Sequence, residues 1–572
     1  MSSRSARFII SICFSMLLVM SSVHAAPGAP GQPQSISGTL EVIHADDFED
    51  VGSHQHAPGE EHLLPDLQYW LQTDTGEKLL LEFETAPPPA SSGENVTVTG
   101  ERNDKSFKVK EMKKNEAAAG GKGGGGGGKP TKPPTTSYIG PRDTIVIAFN
   151  FAGEPLTPFT TDQIRINGFT DPGSVAAYYK ETSFNQTTLK GKNDGTPADK
   201  DGLPGDVTQW FTINQSTSSC NYSQWATAAQ TAARNAGWDL TGYEHIVHLF
   251  PPQAACNWSG LAMIGGANSW LNGTIAIGTF AHELGHNVSL YHSRTLSCTN
   301  GEVSVVVASS CTFAEYGDPF DVMGTSTNKR HFNTRNKGHL AWFPTANVAT
   351  ATSGQTYTLF PLEKPATGLQ LLRVPRGREY LYVEARTPFG FDSFAPTDDV
   401  VRGALIHTGP DIATNGNSYL LDTAPITPSF LDAALQPGEG FVDTLNGVYI
   451  ETVSVNGDGS VTVLVRTGYT NAAPVVTAGA IQPMLPGVPH QTSSATATDA
   501  NKNLGSYRWD WVSCPSTCPP MATSTGALSG GNASVPGPLY TPVTAGTYRL
   551  ALTVWDTAGA KTTITVDERA GV

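Results

Sequence analysis

The chain is short of the groups that would mark several common functions. Only 15% of its 572 residues are charged, and acidic ones prevail, 51 against 36, giving a net charge of −15. That balance argues against nucleic acid or an anionic membrane as the main partner. Only residues 105–132 are locally basic, and a solvated linker explains them better than a binding patch. Long apolar runs are missing apart from residues 8–20, too short for a spanning helix. Preceded by Arg4 and Arg7 and followed by Val23-His24-Ala25, that run reads as a secretory signal cut near Ala25. The expected product is secreted, extracellular and free of the membrane after signal removal. Cysteine is scarce too. Of seven, Cys13 leaves with the signal, and Cys220, Cys256, Cys298, Cys311, Cys514 and Cys518 remain. An even number in an exported chain suggests disulfides; six allow fifteen pairings, and local order favours 220–256, 298–311 and 514–518.

The length calls for several domains. Residues 26–116 hold short strand-like runs at 38–43, 78–83 and 95–98, the pattern of a small β-barrel or sandwich in the position of a propeptide. This segment has no cysteine, so no thiolate from it can silence a metal. Its cluster of His54, His56 and His62 with Glu60 and Glu61 reads as a solvated loop. Residues 117–137 are a Gly/Lys/Pro linker and an expected proteolytic site. The run 123–129 superficially looks like a phosphate loop, but Pro130 stands where a magnesium-binding hydroxyl belongs. From 138 to 348 strands and helices mix: a buried strand at 144–149, a helix at 225–236, a strand at 246–250 and a helix at 275–290. Residues 349–469 read as β-rich and 470–572 as an Ig-like sandwich. In that last unit Trp509 and Trp511 lie two apart on one strand face, more in keeping with a core than with a ligand platform.

What the chain does have is the run His282-Glu283-Leu284-Gly285-His286-Asn287-Val288-Ser289-Leu290-Tyr291-His292. On a helix, positions i and i+4 share a face, so His282 and His286 can offer two imidazoles to one zinc ion. Glu283 is the expected general base, and His292 can return as a third ligand if the chain turns sharply. Three imidazoles leave a fourth position open, as a catalytic zinc site requires. Asp321-Val322-Met323-Gly324 follows at a distance suited to a methionine turn beneath the metal, and Met263, Ile264, Gly265 and Gly266 suggest an edge strand that pairs with extended substrate. The loop Asp199-Lys200-Asp201-Gly202 could hold a structural Ca2+, though a solvated turn suits it better because the later glutamate of the helix–loop–helix calcium site is missing. Tyr316, His331 and His339 could assist, though a structural role suits each better.

Residues 282–293 and 316–324, with Phe332-Asn333 and 337–342, resemble the gametolysin family of metzincins, over about 138–345. The resemblance implies an α/β metzincin-type zincin flanked by all-β domains. It further implies a zinc endopeptidase acting on protein or peptide substrates, with His282, His286 and His292 as ligands, Glu283 as general base and Met323 as the turn methionine. One residue departs from that pattern. Metzincins usually have glycine where this chain has Ser289, and a bend through φ > 0 there costs a serine on the order of 1 kcal/mol. The C-terminal unit resembles a polycystic-kidney-disease module through Ala545-Gly546-Thr547-Tyr548 and the strand ending at Asp556; it could bind protein or polysaccharide. A different class of function, an exported adhesin or binding protein on a degenerate scaffold, is motivated by Ser289 and this C-terminal sandwich, while the intact Glu283 weighs against it.

Overall fold

The computed structural model describes residues 33–48, 55–56, 67–115 and 138–571. The signal and linker assignments, and the side chains of the histidine cluster at 54–62, lie outside the described residues. All three disulfides form, Cys220–Cys256, Cys298–Cys311 and Cys514–Cys518. The protein is mostly β, as its alternating runs require.

The N-terminal part is a closed five-stranded barrel. Its strands are β1 (Pro33–Asp46), β2 (Leu67–Thr73), β3 (Lys78–Phe83), β4 (Asn95–Arg102) and β5 (Ser106–Lys114). The ring runs β1-β2-β3-β5-β4 and back to β1, with β3 and β5 parallel. This is a Greek-key barrel order, built on strict alternation. Tyr69 and Leu71 of β2 and Val96 and Val98 of β4 point inward onto Leu40, Val42, Leu81 and Phe107.

Strand β1 is longer than the barrel needs, and its surplus end joins a second sheet. That sheet contains β6 (Gly140–Phe151), β7 (His245–Phe250), β8 (Gly260–Met263) and β9 (Asn268–Asn272), in the order β6-β7-β9-β8-β1. Strands β6, β7 and β9 are parallel neighbours. β8 runs antiparallel to both β9 and β1. β6 and β7 are buried on both faces, so apolar residues fill successive positions at 145–149, 246–247 and 249–250. Ile145, Ile147 and Phe149 face helix α1 (Tyr222–Asn235) through Trp225, Ala229 and Ala233. The alternate residues Val146, Ala148, Val247 and Leu249 face helix α2 (Ile277–Asn287) through Phe280, Ala281 and Leu284.

Beyond α2, strand β10 (Ser293–Thr299) pairs antiparallel with Cys311–Ala314 and parallel with Ser418–Leu421. One sheet and one apolar core therefore join residues on both sides of position 348. The C-terminal unit is a pair of packed β layers around Trp509, Tyr548, Leu550 and Leu552. Trp509 is fully buried, and Trp511 packs half-buried against Tyr540 and Tyr548 on the same face, so neither ring offers an open platform.

Candidate metal centre

Helix α2 lies under β8 and β9 and presents His282 and His286 one turn apart. It ends at Val288, and the next residue, Ser289, adopts φ +70°. The bend carries the chain back so that His292 meets the helix. The three Nε2 atoms converge: those of His282 and His292 are 3.2 Å apart, as are those of His286 and His292. All three side chains are buried.

Each ring is oriented from behind. His282 Nδ1–H donates to the Val322 carbonyl at 2.8 Å and His286 Nδ1–H to the Leu290 carbonyl at 2.9 Å. His292 Nδ1–H donates to Glu315 Oε1 at 2.6 Å. Carbonyl and carboxylate oxygens only accept, so each acceptor places the hydrogen on Nδ1 and leaves Nε2 as a lone pair pointing inward. Burial favours the neutral ring at His282. Glu315 is held well below the usual carboxylate range despite its burial, by Arg294 and by His292 itself. Three lone pairs at such separations repel one another unless a cation sits between them. Ligands 2.0–2.1 Å from a tetrahedral zinc stand roughly 3.3 Å apart, so the set fits that metal.

Met323 lies beneath the histidines with its side chain buried, and Gly285 makes room for it: a Cβ there would fall 2.3 Å from Met323 Sδ. The turn is fastened by Asp321, whose carboxylate accepts from the backbone N–H of Met323 and of Asn333, both at 2.7 Å. Burial and the neighbouring Asp318 push Asp321 up to about 7.

Glu283 stands beside the histidines. Neither of its carboxylate oxygens has a hydrogen-bond partner among the described residues, although both are buried. Burial, and then the Asp46 carboxylate, push it well above the usual range. A buried, unpartnered carboxylate with a raised pKa beside converging imidazoles is suited to proton transfer. Gly260, the first residue of β8, allows the close approach, because a Cβ there would lie 1.9 Å from Glu283 Oε1.

The edge strand lies earlier in the chain than the sequence suggested. β8 is Gly260–Met263. Ile264 extends its pairing through one bond to the Val42 carbonyl, while Gly265 and Gly266 form the turn into β9. The reason is Gly265, whose φ of +71° breaks the strand.

Two further groups reach the centre. Tyr316, read as structural, has its ring 4.7 Å from that of His292. His44, Asp46 and Phe48 arrive from the end of β1, past the point where the alternating run stops being apolar; a buried His-x-Asp at a strand end was the available signal. His331 bonds Glu181 and Lys337, and His339 bonds the Ile412 carbonyl; both hold the fold rather than the centre.

Residues 144–359 match the family model described as gametolysin peptidase M11. No curated protein matches the chain. Among solved structures, OgpA from Akkermansia muciniphila is 9% identical, with 77% of this chain and 96% of that one covered and a TM-score of 0.24. The PKD1 domain of Vibrio anguillarum Epp is 24% identical over 18% of this chain and 99% of its own, with a TM-score of 0.10.

Proposed function

Taking as premise that the chain carries a gametolysin-like metallopeptidase, whose substrates are proteins or peptides, we propose that it is a zinc-dependent endopeptidase, secreted and made as a zymogen. The observation that carries this reading is the meeting of three Nε2 lone pairs beside the free carboxylate of Glu283. A zinc ion held by His282, His286 and His292 would supply a Lewis acid that acidifies water and polarises the scissile carbonyl. Glu283 accepts the proton from the attacking water and returns it to the leaving amine. Strand β8 aligns substrate in extended form by main-chain pairing. Tyr316 offers a hydroxyl donor where charge develops on the carbonyl oxygen. Glu315 and the carbonyls of Val322 and Leu290 keep all three imidazoles in the tautomer the metal needs.

The test is metal removal. Chelation should abolish hydrolysis of an unfolded protein, and stoichiometric zinc should restore it. An active preparation with no bound metal would overturn the assignment. A zinc-loaded chain freed of residues 26–116 that hydrolyses nothing but still binds protein would favour the adhesin reading instead.

A further inference from the structure

The centre is closed by the protein's own N-terminal strand. β1 pairs along β8 with Ile43 opposite Met263 and Asp46 opposite Gly260, which takes the edge that extended substrate would use. The pairing is fixed by the Ser259 N–H donating to the Asp46 carbonyl at 2.8 Å and the Ile264 N–H to the Val42 carbonyl at 2.9 Å. At its end the Asp46 carboxylate turns into the histidines. Oδ1 lies 3.0 Å from His292 Nε2 and 3.6 Å from His282 Nε2, and Oδ2 lies 3.3 Å from His286 Nε2. The carboxylate thus lies on the open side of the three nitrogens, at separations close to the roughly 3.3 Å between ligands of a tetrahedral zinc. The Tyr316 hydroxyl donates to Asp46 Oδ1 at 3.1 Å, and His44 and Phe48 pack on the imidazoles, so side chains from β1 and its end cover the centre. Asp46 is itself fully buried.

We propose that Asp46 is the fourth zinc ligand of the uncleaved chain, and that β1 holds the peptidase latent by filling both the open metal position and the substrate edge. This rests on the zinc endopeptidase reading. A cysteine-free barrel can silence a metal in this way because a carboxylate oxygen, like a thiolate sulfur, can serve as a zinc ligand.

Full-length chains carrying Glu283→Gln, to prevent self-digestion, would be loaded with Co2+, with Asp46 intact or changed to Ala or Asn. Visible absorption and the affinity for acetohydroxamate would then be measured. With Asp46 intact the open position is rarely free, so removing it should tighten hydroxamate binding by about tenfold or more and change the cobalt spectrum. Equal spectra and equal hydroxamate affinity in all three chains would overturn the inference while leaving the metal site standing. Failure of every chain to bind cobalt or zinc would instead sink the endopeptidase reading. Asp46→Asn keeps the side-chain volume, so the comparison survives if Asp46→Ala misfolds.

A separate observation carries a second inference. In the loop between Thr187–Lys190 and Asp206–Val207, Asp194 Oδ2 accepts from the N–H groups of Gly191 and Gly205, and Asp206 Oδ2 from the Lys192 N–H and the Tyr243 hydroxyl. Their other oxygens, both buried, have no hydrogen-bond partner among the described residues. These two oxygens converge, since a Cβ on Gly191 would meet one at 2.1 Å and the other at 2.8 Å. Asp199 adds a third carboxylate, with all three ligand atoms within 4.8 Å. Asp206 is fully buried. Cations around the loop are paired with other carboxylates, Lys190 with Asp143, Lys192 with Asp239 and Arg165 with Asp201. The geometry points to a Ca2+ site formed by Asp194, Asp199 and Asp206, an all-oxygen set suited to a hard cation. The earlier candidate loop thus contributes Asp199, while Asp201 is turned away to Arg165.

In the zinc-loaded full chain, millimolar Ca2+ should raise the melting midpoint by about 3 °C or more, and Asp206→Asn or the half-exposed Asp199→Ala should abolish the rise. Equal shifts in wild type and both variants, or none in wild type, would refute the site.

Discussion

Glu283→Gln is expected to leave zinc on the protein and to lower the peptidase rate by about 10²- to 10⁴-fold, the usual contribution of a positioned general base. The two effects separate because Glu283 takes no part in orienting the ligands. The three imidazoles are held by Val322, Leu290 and Glu315, and those contacts remain when the carboxylate becomes an amide. Glutamine also keeps the volume that Gly260 makes room for. What is lost is the acceptor for the proton of the attacking water, which an amide, with its single weakly basic oxygen and its NH2 donor, cannot replace. Zinc content and initial rates on an unfolded protein would be measured in the chain freed of residues 26–116, where β1 covers neither the metal position nor the substrate edge. Undiminished turnover by the pure variant would remove Glu283 from the mechanism, and loss of zinc would recast it as part of the metal site.

His292→Ala is expected to weaken zinc binding by more than the 10- to 100-fold that losing a supporting contact costs, because it removes a ligand rather than its orienter. The measurement is competition against a chelating dye, with and without Asp46, since a fourth protein ligand would mask part of the loss. Ser289→Gly is the control. The serine sits at φ +70°, where glycine relieves on the order of 1 kcal/mol of strain. It also accepts a 3.2 Å hydrogen bond from the Ser91 hydroxyl, whose loss offsets about as much. Zinc affinity should therefore change little and stability by less than about 1 kcal/mol. If His292→Ala binds zinc as tightly as wild type, the third imidazole is not a ligand.

Ser289 shows how far the sequence carried the site. Its place after the helix indicated a bend through positive φ, and the structure has that bend. A single residue, however, could not say whether His292 then reaches the helix. The return depends on the Met323 turn below and on Glu315 behind, both supplied by segments that follow the helix at a distance. The edge strand was legible as a run of small and apolar residues, but its register was displaced, because Gly265 ends the strand by its backbone conformation rather than by its hydropathy. The barrel was legible as strands and illegible as a ring, since closure is set by the pairing of β1 with β4.

By itself the sequence determined the chemistry that is local. The i, i+4 histidines, the carboxylate between them and the alternation of the strands follow from helical and strand periods a few residues long. The three disulfide partners were near neighbours among the cysteines. Only the tertiary structure decided what fills the fourth position of the metal centre. Asp46 reaches His282, His286 and His292 through a strand that leaves its own barrel to pair with β8, and no local periodicity encodes a contact between segments so far apart in the chain.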